Sequence, residues 1–243
     1  MFVLALDTTT RAGSVALVDD DRVLTERAGD PSRSHAERLP GDLLQALDAA
    51  GRPLSAVDLF VVAAGPGSFT GLRIGIATIQ GMALATGKPV VAISALEALA
   101  QLAAADLPPG ACVGAWMDAH RRDVFSALYR IDQGPLFSAT RLEEIDPAAV
   151  GDPTGTLRRW RDAGRLPDVI AGDGAVLYQA HVNNVARVVP PRPLAAALAH
   201  MGRARVLAGG AGAVLHPAAV HPLYVRRPDA EVARECRTSP SNA

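Results

Sequence analysis

Cysteine is almost missing: Cys112 and Cys236 are the only two in 243 residues. They lie far apart and in no Cys-x-x-Cys pair, which argues against a disulfide framework or a thiolate zinc site and fits a reducing, cytoplasmic compartment. Excess charge is missing too. With 24 basic and 25 acidic residues well mixed, the formal net charge is −1, so no basic stripe advertises direct affinity for nucleic acid. Long apolar runs are lacking as well. The amino-terminal run meets Asp7 after five apolar residues, too short for a signal-peptide core, and nothing approaches a membrane-spanning length. Neither a leader nor a membrane segment is expected.

Several catalytic signatures are absent. No Gly-x4-Gly-Lys-Ser/Thr occurs, and in GPGSFTG (65–71) Thr70 stands where the third glycine of a dinucleotide fingerprint belongs. No Gly-x-Ser-x-Gly elbow exists, and Ser68 has no assignable His or acidic partner. The six histidines are scattered: His35 at a helix start, His120 in a turn, His216 and His221 on either side of Pro217. None has a metal-ligand spacing. Glu143-Glu144 reads as a solvated stretch rather than an acid and base pair.

What is present is a chain able to bury a large core, with 49% hydrophobic residues. Residues 2–6 form an apolar run ending in Asp7, as expected of a strand buried on both faces. Strands are expected next at 14–18 and 23–28, linked by an acidic turn. Residues 36–50 have helical spacing with Pro40 and Gly41 placed to kink it early. Then come a strand at 59–64, a helix at 71–85, a strand at 90–92 and, from Ser94 with Glu97, a capping box opening a third helix. The order is βββαβαβα. Leu107-Pro108-Pro109-Gly110 breaks the pattern, and a similar series restarts with the apolar run 112–117, ending in Asp118. In this second half, helices are expected at 157–163, which is basic, and at 194–201.

The two series align. LDTTTRAGSVALV (6–18) laid on MDAHRRDVFSALY (117–129) pairs Asp7 with Asp118 and Arg11 with Arg122 without a gap. VVAAGPGS (61–68) laid on DVIAGDGA (168–175) pairs Gly65 and Gly67 with Gly172 and Gly174. This suggests a duplicated α/β unit, with a ligand cleft between the halves.

DTTTRAGSVAL, SHAERLPGDLL, GPGSFTGLRIG, ISALEALA and MDAHRRDVF together resemble the TsaB (YeaZ) family. The likeness runs over residues 1–130 and more faintly to 222–226, and GPGSFTGLRIG is its most specific part. It implies an α/β fold of the duplicated ASKHA (actin-like, ribonuclease H-like) type, two lobes each with a central mixed β-sheet flanked by helices. The lobes would be residues 1–107 and 108–233, the end of the chain packing back on the first lobe, with a disordered tail at 234–243.

It also implies a cytoplasmic, non-catalytic partner and activator of the transferase TsaD, which forms threonylcarbamoyladenosine next to the anticodon of tRNAs reading ANN codons. The small ATPase TsaE joins through the complex, tRNA is met indirectly through TsaD, and a homodimer through the same surface is the competing state. In TsaD two histidines hold a metal; on ISALEALA those positions are Ala95 and Leu99, so no metal and no catalytic residue is expected. Asp7, Thr8, Thr9, Gly65 and Gly67 are then relics of phosphate turns that need no cofactor, beyond weak ATP or ADP with magnesium at the complex. The expected interface is Leu39, Leu43 and Leu47 with Gly71, Ile74, Gly75 and Thr78, where Gly75→Leu should block pairing and spare the fold. The rival is an active ASKHA phosphotransferase using Asp7 and the glycine turns on ATP and a small acceptor. A peptidase has no recognisable metal pair or nucleophile to support it.

Overall fold

The computed structural model describes residues 1–209 and 214–226; the expected tail at 234–243 and Cys236 lie outside the described residues. The first lobe contains β1 (Phe2–Asp7), β2 (Ser14–Asp19), β3 (Arg22–Ala28), α1 (His35–Ala50), β4 (Leu59–Gly65), α2 (Phe69–Thr86), β5 (Val90–Ser94) and α3 (Ala95–Ala103). The second contains β6 (Cys112–Asp118), β7 (Val124–Ile131), β8 (Leu142–Gly151), α4 (Pro153–Asp162), β9 (Val169–Ala171), α5 (Asp173–Leu177), α6 (Gln179–Val182), β10 (Arg187–Val189) and α7 (Ala195–Leu207).

The sheets run β3-β2-β1-β4-β5 and β10-β9-β6-β7-β8. Read in reverse, the second has the order of the first. Each has two antiparallel hairpin pairings and two parallel ones, β1 with β4 and β4 with β5 matching β6 with β9 and β9 with β10. The duplication read in the residues is therefore a duplication of topology.

Strand β1 is buried along its whole length because both faces are covered, and its alternation sorts the side chains into two cores. Val3 and Ala5 point to a central core shared with Ala115 and Met117 of β6, while Phe2, Leu4 and Leu6 face α1 and α2. A third core behind the second sheet is built on Trp116, Trp160 and Leu128. The helices that close the central core are exchanged. Helix α3, from the first series, packs on β6, β7 and β9, whereas α7, from the second, packs on β1, β2 and β4. Gly202 of α7 lies so close to β4 that a Cβ there would stand 2.4 Å from Val61. The Pro-Pro-Gly break divides the sequence, yet it does not divide the core, because each half covers the other's sheet.

Local signals explain most ends. Ser34 and Glu37 form a capping box at α1, which continues past Pro40 to a left-handed Gly51. Ser94 caps α3 by accepting from the Glu97 N–H at 3.4 Å, and Asp152 caps α4 by accepting from Gly155 at 2.8 Å.

Candidate functional site: the cleft and the outer face of the first lobe

Parallel pairing puts the carboxyl ends of β1 and β4 side by side, so the turns beyond them must meet. Asp7, at the end of β1, is buried, and its Oδ1 accepts from the Thr9 N–H at 2.8 Å and the Thr9 hydroxyl at 2.6 Å. Burial pushes its carboxyl above the ordinary value, against those two hydrogen bonds and the charge of His35. The Thr9 carbonyl in turn accepts from Ser68 N–H at 2.8 Å, and the Ser68 hydroxyl accepts from Gly71 N–H at 3.3 Å.

Helix α2 lies against this turn at backbone contact. A Cβ on Gly67 would stand 2.5 Å from the Thr9 oxygen, one on Gly71 2.2 Å from the Thr8 oxygen, and one on Gly75 2.1 Å from Thr8 Oγ1. The glycine spacing in GPGSFTGLRIG is thus set by the close approach of Thr8 and Thr9. Underneath, His35 Nε2 lies 2.9 Å from the Thr10 carbonyl. Arg38 donates to the Arg11 and Ala12 carbonyls and to His35 Nδ1. Burial holds the His35 imidazole below its usual range. The sequence reading placed His35 only at a helix start and missed Arg38. A buried arginine three residues after the histidine on one helix face was the available signal.

The second lobe repeats the turn with different fillings. Asp118 Oδ1 accepts from His120 N–H at 2.8 Å, the same i to i+2 bond that Asp7 makes with Thr9. Gly172 has φ 121°, as Gly65 does, and a Cβ there would meet the Trp116 oxygen at 2.0 Å. Asp173, which the sequence reading did not single out, accepts from Asp118 N–H at 3.1 Å and Gly174 N–H at 2.9 Å, and burial raises its carboxyl. His120, Arg121 and Arg122 are consecutively left-handed, with φ of 58°, 55° and 67°, a strained tip at the rim.

Between the turns lies a cavity of about 1220 Å³. Asp7, Thr9 and Gly67 line it from one lobe and Asp118 and Asp173 from the other; Thr8 and Gly65 do not. Thr8 is buried against α2, and its hydroxyl has no hydrogen-bond partner among the described residues. Among the described residues, no group of three or more His, Cys, Asp or Glu side chains could hold a metal ion.

A nucleotide phosphate with magnesium would need the first turn's hydroxyls and amides and an ionised Asp7. The Thr8 hydroxyl is buried against α2, the Thr9 N–H and hydroxyl both donate to Asp7, and the Ser68 N–H donates to the Thr9 carbonyl, while burial raises the Asp7 carboxyl above its ordinary value. In this arrangement the Thr8 hydroxyl and both Thr9 donors are turned away from a phosphate in the cleft.

The outer side of the first lobe carries the second set of expected residues, and four of these are corrected. Leu39 and Leu43 are only 3% and 7% exposed, filling the core under α1. Gly71 and Gly75 are buried against the Thr8 turn. The sheet has already claimed these faces, and Gly75→Leu would strike the fold itself. Leu47 and Ile74 are half-buried on the same core, and the half-buried Thr78 bonds to the Ile74 carbonyl at 2.8 Å. The outward stripe of α2 is instead Thr70, Arg73, Ala77, Gly81 and Leu84, one helix face by spacing. Leu84 is 58% exposed and Leu44 of α1 68%.

Known proteins share both the sequence pattern and the fold. Residues 29–150 match the family described as tRNA N6-adenosine threonylcarbamoyltransferase, TsaD. The Escherichia coli tRNA threonylcarbamoyladenosine biosynthesis protein TsaB is 33% identical over 193 residues, 74% of this chain and 82% of that protein. An uncharacterized Mycobacterium tuberculosis protein is 32% identical over 96% of both chains. The crystal structure of YeaZ from Pseudomonas aeruginosa superposes with TM-score 0.72 at 30% identity, covering 92% of this chain and 99% of that one. An ADPNP-bound dehydratase activator from Clostridium difficile, at TM-score 0.52 and 10% identity, shares the fold alone, the duplicated actin-like one.

Proposed function

The chain belongs to the TsaB (YeaZ) family, and from that premise we propose that it is a non-catalytic partner and activator of TsaD in forming threonylcarbamoyladenosine on tRNA. One observation carries the reading. The two longest helices leave Leu44 and Leu84 in solvent, with Ala77 and Gly81 on the same face of α2 as Leu84, while both Thr9 donors and the Ser68 N–H in the first turn are engaged within the protein.

Small residues let a second helix approach α2 closely, and a partner that covers Leu44 and Leu84 removes apolar area from water at roughly 25 cal/mol per Å². A paralogue with equivalent helices would dock in pseudo-twofold fashion, and a second copy of this chain would dock isologously through the same patch, so the two compete. The chain would then raise TsaD activity by stabilising its competent conformation, with TsaE joining the assembly and tRNA reached through TsaD.

Sedimentation of the chain with purified TsaD tests this. Leu84→Glu should leave the fold intact and abolish the heterodimer; an undiminished complex puts the interface elsewhere. Magnesium-dependent ATP binding by the isolated chain, lost in Asp7→Ala, would instead favour the phosphotransferase reading.

A further inference from the structure

The described carboxyl-terminal segment, residues 214–226, runs along the first lobe and ends on the second. Leu215 pairs with Val90 at the edge of the first sheet. Gln80 of α2 donates its amide to the Pro217 and Val220 carbonyls at 2.9 and 3.2 Å, and Val220 is buried in the outer core. Leu223 N–H then donates to the Ala64 carbonyl at 2.7 Å, and its own carbonyl lies over Gly65. The segment is pinned at four places before it leaves the lobe.

Its last residues do two things at once. The Tyr224 ring stacks on Phe69 at 5.3 Å, and its hydroxyl accepts from Arg73 Nε at 3.1 Å, while the Arg73 guanidinium lies 4.2 Å over the Phe69 ring. Two residues on, Arg226 donates to the Ala119 carbonyl at 2.8 Å and pairs with Asp123. Those are the two ends of the strained His120–Arg122 tip. Residues Leu223 to Arg226 line the cleft.

We infer that this segment is a strap coupling the outer face of α2 to the opening of the cleft, with Arg73 as its reader. Arg73 stands in the outward stripe of α2 and also holds Tyr224, so anything that docks on that stripe changes the surroundings of Arg73. The strap is too short to absorb the change between Tyr224 and Arg226. A shift at Tyr224 therefore reaches the 119–123 turn through two charge-assisted contacts. Coupling of this kind is reciprocal: the factor by which docking on α2 changes the affinity of a ligand in the cleft is the factor by which that ligand changes docking. This inference rests on the partner surface proposed above for its biological occupant, and the strap itself is testable without one.

The test is amide hydrogen exchange at residues 119–123 in the full-length chain. Arg226→Ala, which cuts the distal contacts, should speed exchange there about tenfold, the factor lost with one charge-assisted hydrogen bond. Arg73→Ala and the milder Tyr224→Phe remove only the contact between Arg73 and Tyr224 and that of Arg73 with Phe69, yet both should also speed it, by smaller factors in that order. Wild-type exchange at 119–123 in Arg73→Ala overturns the coupling, and wild-type exchange in Arg226→Ala overturns the strap. Adding purified TsaD separates the two readings. Absence of protection on α2 removes the proposed partner while the isolated-chain result stands; protection of α2 with no change at 119–123 overturns the regulation.

Discussion

The two lobes share a strand order and differ in the helices that their glycine turns open. After Gly65, α2 runs 18 residues; after Gly172, α5 has 5 and α6 has 4. Helix α1 has 16 residues and its counterpart α4 only 10. The turns themselves agree in detail, with φ of 121° at both glycines and the same i to i+2 bond at both strand-end aspartates. Backbone shape has been kept in both halves, and helix length and surface have diverged. The first lobe's two long helices leave Leu44 and Leu84 in solvent. The second caps its outer core with α4, whose Trp160 donates to Asp146 at 2.7 Å, and leaves arginines outside.

That contrast can be broken at symmetry-related positions. The largest effect is expected in the turns. Gly67→Ala should cost about 3 kcal/mol, since the Thr9 carbonyl oxygen would stand 2.5 Å from the new Cβ. Gly174→Ala should cost about 1 kcal/mol, its nearest backbone neighbour being 3.0 Å away. Urea denaturation of the two variants checks the order. Next, Asp146→Ala leaves the Trp160 N–H buried without its acceptor and should cost about 2 kcal/mol by the same measurement.

Gly81→Ala should do the opposite. It is exposed in mid-helix with nothing within 4 Å of a new Cβ, so thermal denaturation should report about 0.8 kcal/mol of added stability.

The smallest effect is a pH dependence to which the first turn contributes together with His200, whose imidazole burial also holds below its usual range. His35 has a folded-state pKa lowered below its ordinary 6.5, so the unfolded chain takes the proton first. Its contribution is complete above pH 6.5 and falls as pH drops below it. Melting temperature should decline from pH 7 to 5.5 in the wild type. The decline should be reduced in His35→Gln, which keeps a donor for Thr10 and an acceptor for Arg38.

The fold was legible because its signals are short-range: an apolar run ending in aspartate twice, glycine pairs at matching offsets, and the cap at Ser94. The exchange of α3 and α7 was not, since amphipathic spacing says that a face is buried and leaves open which sheet buries it. The same ambiguity misassigned Leu39, Leu43, Gly71 and Gly75. Leucine and small-residue stripes read alike whether the neighbour is the chain's own sheet or a partner, and only the 2.1–2.5 Å approaches of Thr8 and Thr9 to α2 separate the two. Asp173 escaped notice because it stands where the first lobe has Pro66, so alignment of the halves gave it no counterpart. The strap was out of reach for a plainer reason: its contacts with Phe69, Arg73 and Asp123 span more than a hundred residues.

The most direct measurement is threonylcarbamoyl transfer to tRNA by purified TsaD and TsaE, supplied with threonylcarbamoyl-AMP and ATP, in the presence of wild-type chain, Leu84→Glu chain or none. Transfer that needs the wild-type chain, fails with Leu84→Glu, and is never seen with the chain alone is the predicted result. Equal transfer in all three mixtures, or transfer by the chain without TsaD, would contradict the account.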